Sequence, residues 1–291
     1  MKNYLNSFFS EFEYEENDAR VLISTYEKIQ NSPMASKIFN EALKEYETNI
    51  DCDYNAIFDS VDRVADMLYV HEYTAGLLMF ICMSRRLKER YLERGISLDV
   101  FRESVLDLKY KLEECKLIRS IVGVYPPSWF FGFFQMKRFA FGRLQFEIIE
   151  LGYDYKKNGA SFNRESKVIS VHIPRNKKPL DKESCDEACQ IAKEFFKGEY
   201  DAPCAFVCHS WLLYPENEKI IPEKTNIYRF MSRFDIIDSG VYKDNGNLWR
   251  LFDTEEKNYD KLPTDTSVRR AYVEHLKNGG KTGWGMGIFF A

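Results

Sequence analysis

The sequence predicts an α+β chain in which an all-α N-terminal part precedes a mixed β-sheet with flanking helices. Three observations predict it. Apolar residues recur at helical spacing from Asp18 to about Val122. A proline pair and the five aromatics after it, in "GVYPPSWFFGFF" at 123–134, interrupt that pattern. Beyond them, short apolar runs bounded by Gly, Pro and Asn alternate with capped helical segments. The predicted domains are 1–125, helical, and 126–291, sheet-bearing, and 291 residues suffice for two such cores.

Within the first half, Ser32 before Pro33 reads as an N-cap with proline at the first helical position. Asp53 can cap a helix carrying Ile57, Val61, Val64, Ala65 and Leu68. "TAGLLMFICM" runs into "SRRLKER" and, at about half a membrane span, is too short to cross a bilayer; the helix it belongs to has a second half, "SRRLKERYLER", that reads as solvated on most faces. Gly95 ends that helix, and Ser97 opens another with Phe101, Val105, Leu108, Leu112, Cys115 and Ile118 on one stripe. The aromatics after the prolines are expected to pack at a seam between the halves, or to line a cleft there.

In the second half, "FAFGRLQFEIIEL" reads as a strand with Arg143, Gln145 and Glu147 on one face and Leu144, Phe146 and Ile148 on the other. "SKVISVHIP" is a second strand. A helix over 184–197 is marked by Ser184 with Glu187 as a capping box and by Gly198 at its far end. "FVCHSWLL", 206–213, reads as a buried strand that points Cys208 and Ser210 one way and His209 the other. A short helix near Thr225–Ser232 follows. Phe234–Tyr242 and Leu248–Phe252 are expected to pair as a hairpin around the Asn-Gly of "KDNGN". A helix over about Ser267–Lys277 and an apolar stretch end the chain. Strand, helix and strand in succession predict a parallel pair with a crossover.

Composition narrows the function classes. A formal charge of −4, from 41 basic and 45 acidic residues, gives no footprint for nucleic acid. No run is long enough for a membrane span, and the acidic start lacks the basic and apolar regions of a secretory signal, so a cytoplasmic protein is expected. Seven cysteines without a secretion signal argue for reduced thiols. Cys204 and Cys208 lie on one strand about 13 Å apart, too far to share a metal, and no metal site is expected.

Several residues carry possible chemistry. Arg175, Lys177 and Lys178 stand in the turn before the capped helix, whose N-terminus offers unpaired N–H groups and a positive dipole end, which suits a pyrophosphate-bearing ligand such as coenzyme A. The tail "NGGKTGWGMG" contains Gly-Lys-Thr, but His275 stands where a P-loop needs glycine and a helix precedes it, so it is no nucleotide loop. Glu147, His172 and His209 are the acid–base candidates, weighed against structural hydrogen bonds in the sheet. Cys208 is a weaker nucleophile candidate, since a cysteine inside an apolar strand is normally inert.

"FGRLQFE", "VHIP" followed by "CDEA", "CHSWLL", "TNIYRF" and "LPTDTSVRRA" together resemble a family of bacterial N-acyltransferases with a helical N-terminal domain and a GNAT-like C-terminal domain. The motifs span about 139–271, and the helical half extends the likeness over nearly the whole chain. The resemblance implies transfer of an acyl group, with acetyl expected, from acetyl-CoA or another acyl-CoA to a small-molecule or peptide amine by direct attack in a ternary complex. It implies that the 167–173 strand flanks the acyl-pantetheine arm and that the 206–213 strand splays from it. The cofactor would then be held by Ile173, Arg175, Lys177, Lys178, Ser184, Cys185 and Asn226. Glu147 or His172 would act as base and Tyr228 as acid, with Arg143, Gln145, Cys208 and Ser210 along the cleft. The glycine-bearing pyrophosphate signature of GNAT proteins is absent from "RNKKPLDKES". Two alternatives stand beside this reading: a GNAT-like ligand-binding or scaffold protein without catalysis, and a thiol hydrolase pairing Cys208 with His172.

Overall fold

The computed structural model describes residues 1–157 and 159–290 and resolves into two compact units, Met1–Phe139 and the remainder from Ala140. The first unit is helical: α1 (Lys2–Glu11), α2 (Glu16–Asn31), α3 (Pro33–Thr48), α4 (Tyr54–Leu68), α5 (Glu72–Glu93) and α6 (Leu98–Arg119). The Ser32, Asp53 and Ser97 caps form as read, each side chain accepting a first-turn backbone N–H. α1 was not foreseen; its buried Leu5, Phe8 and Phe9 fall on one face of a segment that acidic residues follow.

α5 is the centre of this unit. From Thr74 to Ser84 every side chain is buried, as expected of a helix that is apolar on all sides. Arg90, near its end, donates to the Tyr46 carbonyl at 2.7 Å and lies over the Tyr46 ring, placing a cation at the C-terminus of α3. After Pro127 the chain makes a 3-10 turn and α7 (Phe131–Phe134). These aromatics pack into the helical unit: Phe131 lies against Tyr54 and Phe58, and Phe134 against Tyr46 and Phe80.

The second unit is built on a six-stranded sheet in the order β1-β2-β5-β6-β8-β7, with a separate β3-β4 hairpin. The strands are β1 (Arg138–Phe141), β2 (Leu144–Glu150), β3 (Tyr155–Lys157), β4 (Ala160–Phe162), β5 (Lys167–His172), β6 (Ala205–Ser210), β7 (Asp235–Val241) and β8 (Gly283–Phe290). The helices are α8 (Lys182–Phe195), α9 (Asn217–Ile220), α10 (Asn226–Met231), α11 (Leu248–Phe252) and α12 (Ser267–Lys277). β5 and β6 pair in parallel across α8, as the strand–helix–strand order predicted; the other described ladders are antiparallel.

Four local expectations change. The expected 139–151 strand is two strands, because Gly142 at φ +57 turns the chain between β1 and β2. β6 stops at Ser210, and Trp211–Leu213 form a 3-10 turn opened by the Ser210 hydroxyl, which accepts the Leu212 N–H. Leu248–Phe252 is helical and does not pair with β7: Leu248, Leu251 and Phe252 follow the spacing of a helical turn, which a short apolar run cannot distinguish from a strand. β7 pairs instead with β8, the chain's last apolar stretch.

β8 can occupy its place because of its glycines. Gly283, Gly285 and Gly287 share one face, and a Cβ at each would lie 2.4, 2.0 and 2.7 Å from atoms of Tyr214 or Gly240, Leu213 and Phe234, respectively. The 3-10 turn and the Phe234 side chain lie directly on that face. On the opposite face Met286 and Ile288 join Val168, Ala205 and Val207 in an apolar cluster roofed by Leu151, Tyr155 and Phe162.

Candidate functional site

The parallel ladder between β5 and β6 is short. Ile169 pairs with Phe206 and Ser170 with Val207, and the pairing ends there although β5 continues to His172 and β6 to Ser210. Two strands that run on without pairing leave a gap between them, bounded by Val171–Ile173 on one side and Cys208–Ser210 on the other.

Glu147 and His172 meet beside this gap. The β2–β5 register sets Gln145 opposite His172 and Glu147 opposite Ser170, so all four side chains project from one face. Glu147 Oε1 lies 2.7 Å from His172 Nε2, and Ser170 Oγ 3.5 Å from the same nitrogen. Neither member of the pair is far from water: the side chains are 16% and 22% exposed. With Nε2–H donating to the carboxylate, the neutral imidazole carries its lone pair on Nδ1. A histidine held by a carboxylate is an arrangement used in general-base catalysis.

The same face changes character along its length. Near Val168, Val207 and Ile288 it is apolar and covered by the β3-β4 hairpin. Past Ser170 it becomes polar. Farther along β6, His209 is exposed and stacks on Trp284, with ring centroids 4.7 Å apart. By the β5–β6 register it lies on the same face as His172, on the opposite side of the gap.

Cys208 and Ser210 point to the other face, as the alternation predicted. Cys208 is 1% exposed, and burial alone pushes its thiol up to about 12. A thiol so protonated, on the opposite side of the sheet from His172, is no nucleophile. Iodoacetamide at pH 7.5 is therefore expected to leave Cys208 unlabelled in the folded protein and to label it after denaturation, read by peptide mass spectrometry. Rapid native labelling would reinstate the thiol-hydrolase reading.

The loop from Ile173 to Asp181 is organised from beneath by Arg143. This guanidinium, 8% exposed, donates to the Pro179 carbonyl at 3.0 Å and the Pro174 carbonyl at 3.1 Å. Asn176 Oδ1 accepts the Lys178 N–H at 3.2 Å. Arg143, expected along the cleft, thus shapes the loop. Arg175 pairs with Asp253, which also binds Arg269 at 2.5 Å. Lys177, at φ +58, and Lys178 are exposed.

The start of α8 differs from the expected capping box. Asp181, three residues before Ser184, is the N-cap, and its carboxylate accepts the Ser184 N–H at 2.8 Å and the Ser184 hydroxyl at 3.1 Å. Those bonds hold the Asp181 carboxyl below its ordinary range, backbone N–H first. Asp is as good an N-cap as Ser, so composition alone could not choose between them. The first turn of α8 therefore carries a negative charge of its own. Cys185, next along the helix, is fully buried, with its thiol pushed up to about 11 by burial.

Asn226 and Tyr228 begin α10, where Thr225 caps the helix by accepting the Tyr228 N–H. α10 lies on the Cys208 face: Phe230 packs on Phe234, Phe234 on Phe289, and Phe289 stacks with Phe206 at 5.1 Å. The structure brings Glu147 and His172 together on one face and sets the helix bearing Tyr228 against the other. No group of His, Cys, Asp and Glu able to hold a metal occurs among the described residues.

Comparison with known proteins assigns both halves. Residues 3–136 match the N-acyltransferase N-terminal domain, and residues 139–289 match the GNAT-like C-terminal domain. The chain belongs to the N-acyltransferases with a GNAT-like C-terminal domain. This GNAT-like acyltransferase shares its fold with solved structures of low sequence identity. An acyltransferase in complex with decanoyl-CoA and teicoplanin has a TM-score of 0.76 at 20% identity, covering 98% of this chain and 87% of that one. A second, with decanoyl-CoA, has 0.75 at 18%, covering 98% and 86%. An acyltransferase mutant with octanoyl-CoA has 0.75 at 19%, covering 98% and 87%. No curated protein matches the chain by sequence. No helix among the described residues is long and apolar enough to cross a membrane.

Proposed function

We propose that this acyltransferase moves an acyl group from an acyl-CoA to the amine of a small-molecule acceptor by direct attack, with His172 as the base and Glu147 holding its ring. The observation that carries the reading is the 2.7 Å Glu147–His172 bond beside the point where β5 and β6 stop pairing. A gap between two strands offers unpaired backbone groups to a pantetheine arm, which is an extended amide chain. A backbone N–H at its edge can polarise the thioester carbonyl. The amine forms a bond to the carbonyl carbon, its proton passes to His172, and the carbon–sulfur bond breaks. Tyr228, on α10, is the proposed donor to the departing thiolate.

The donor's phosphates are proposed to lie along the 173–181 loop, where Lys177 and Lys178 reach solvent, and not on the first turn of α8, which Asp181 occupies. The decanoyl-CoA and octanoyl-CoA of the solved acyltransferases favour a medium-chain donor over the acetyl group first expected. Teicoplanin in one of them favours a small-molecule acceptor over a peptide.

Thermal unfolding with acetyl-, octanoyl- and decanoyl-CoA tests the reading. A ligand at about 100 times its Kd stabilises the folded state by about 2.7 kcal/mol. At this size that raises Tm by several degrees, and the Lys177→Ala/Lys178→Ala double variant is expected to lose most of the rise. No rise with any acyl-CoA would overturn donor binding. A rise without turnover of any amine would favour a ligand-binding protein that keeps the fold.

A further inference from the structure

A cavity of about 420 Å³ opens in the helical unit between α2 and the turn that leads from α4 into α5. Arg20 and Lys28 reach it from α2, and His71 and Thr74 from the start of α5. Among the described residues no Asp or Glu lines it, although 45 of the chain's 291 residues are acidic. Arg20 pairs with Glu16 at 3.2 Å, both side chains exposed, and such a surface pair holds a cation weakly. Lys28 makes no ion pair among the described residues.

Thr74 is the residue that points to a ligand. It is 6% exposed and lines the cavity, and its hydroxyl has no hydrogen-bond partner among the described residues. Unlike the unpaired Tyr14 hydroxyl, it is not sealed from solvent. Thr25, buried on the α2 wall, donates its own hydroxyl to the Val21 carbonyl at 2.9 Å, as a threonine in a helix commonly does. A buried hydroxyl without such a bond is costly unless another molecule completes it. His71 adds a second donor. Its Nδ1 accepts the Tyr73 N–H at 3.1 Å, and its ring lies against the Tyr73 ring with centroids 4.5 Å apart. With Nδ1 so used, the neutral ring carries its hydrogen on Nε2, which has no acceptor among the described residues.

We propose that this cavity is an anion site that takes the phosphate group of a small phosphorylated molecule. A phosphate is tetrahedral and doubly charged, and donors from several directions satisfy it best. Arg20 and Lys28 bring charge from one wall, and the Thr74 hydroxyl and the His71 Nε2–H bring hydrogen bonds from the other. A planar carboxylate, with two oxygens and one charge, engages only part of that set. The volume suits a small molecule larger than the phosphate itself. Every residue of the site belongs to the helical unit, so the proposal does not rest on the acyl-transfer reading.

The test follows the ring signals of His71 by NMR in the full chain, with phosphate replacing chloride at constant ionic strength. The chain has four histidines, and His71→Gln identifies the signal. Inorganic phosphate and glycerol 3-phosphate are expected to move it saturably, and acetate to leave it in place. Thr74→Val removes the hydroxyl and keeps the shape, and is expected to weaken binding about 10–150-fold, with Thr74→Ser restoring it. Arg20→Ala/Lys28→Ala is expected to abolish the response. Lys177→Ala/Lys178→Ala is expected to leave it unchanged, which separates this site from the proposed donor site.

A shift that never saturates, or an equal response to acetate, would overturn the proposal. So would a Thr74→Val variant that binds like the wild type, because exposed cations alone would then account for the response. A response lost in the Lys177/Lys178 variant would place the phosphate elsewhere and overturn it as well. Melting shifts with acyl-CoA are read separately, so failure here leaves the acyl-transfer reading standing.

Discussion

Replacing His172 with glutamine is expected to lower kcat for acyl transfer by about 10²–10⁴-fold, the usual worth of a positioned general base. Glutamine keeps a polar group near Glu147 Oε1 but cannot take a proton from an amine. The melting shift with decanoyl-CoA is expected to persist, since the proposed donor site is bounded by backbone and by Lys177 and Lys178. Glu147→Gln, which keeps an acceptor and removes only the charge, is expected to cost less. Single-turnover assays with a saturating acceptor read the chemical step directly. If His172→Gln turns over at the wild-type rate, the pair at 2.7 Å is a structural bond in the sheet and the base lies elsewhere.

The second large effect lies outside the reacting groups. Gly285→Ala is expected to destabilise the protein by at least the about 1–3 kcal/mol typical of overpacking, and to lower Tm by about 5 °C or more. The new Cβ would lie 2.0 Å from the Leu213 carbonyl oxygen and 2.6 Å from its carbon. Both are backbone atoms, so no side-chain rotation relieves the overlap. The turn that ends β6 must shift, and Ser210, paired with Gly285, shifts with it. Gly76→Ala in α5 is the control. Its Cβ would meet Phe58 at 3.5 Å, an ordinary contact, and alanine suits a helix better than glycine. Equal melting temperatures for Gly285→Ala and the wild type would show that the turn is not fixed where it is described.

Much of the architecture was legible because it depends on local chemistry. Caps at Ser32, Asp53 and Ser97 and the stripe on α6 are decided within a few residues. The faces of β2 and β5 followed from alternation: Gln145 with Glu147, and Ser170 with His172. Their meeting was not legible. It depends on the register between strands separated by the β3-β4 hairpin, and a one-residue slip would turn either set away. The choice of Asp181 over Ser184 as N-cap was hidden for a different reason: both residues are good caps and only tertiary packing fixes the first turn. The glycines of "GWGMG" carried a signal that can be read, since glycine at every second residue marks one strand face on which backbone must come close.

The gap between β5 and β6 has a consequence for how this enzyme can be dissected. It exists because two main chains diverge, and its edges are peptide groups that every amino acid carries except proline on its nitrogen. A scan of single side-chain replacements will therefore be nearly blind to it. Such a scan will register the proton-handling pair, the crowded glycines and the lysines of the proposed donor site, while the backbone edges of the gap stay silent. Only changes to the peptide bond itself, such as an amide-to-ester replacement at 171–173 or proline at Ile173, address those atoms. By the same logic, related chains could drift far in sequence along these two strands and keep the gap intact.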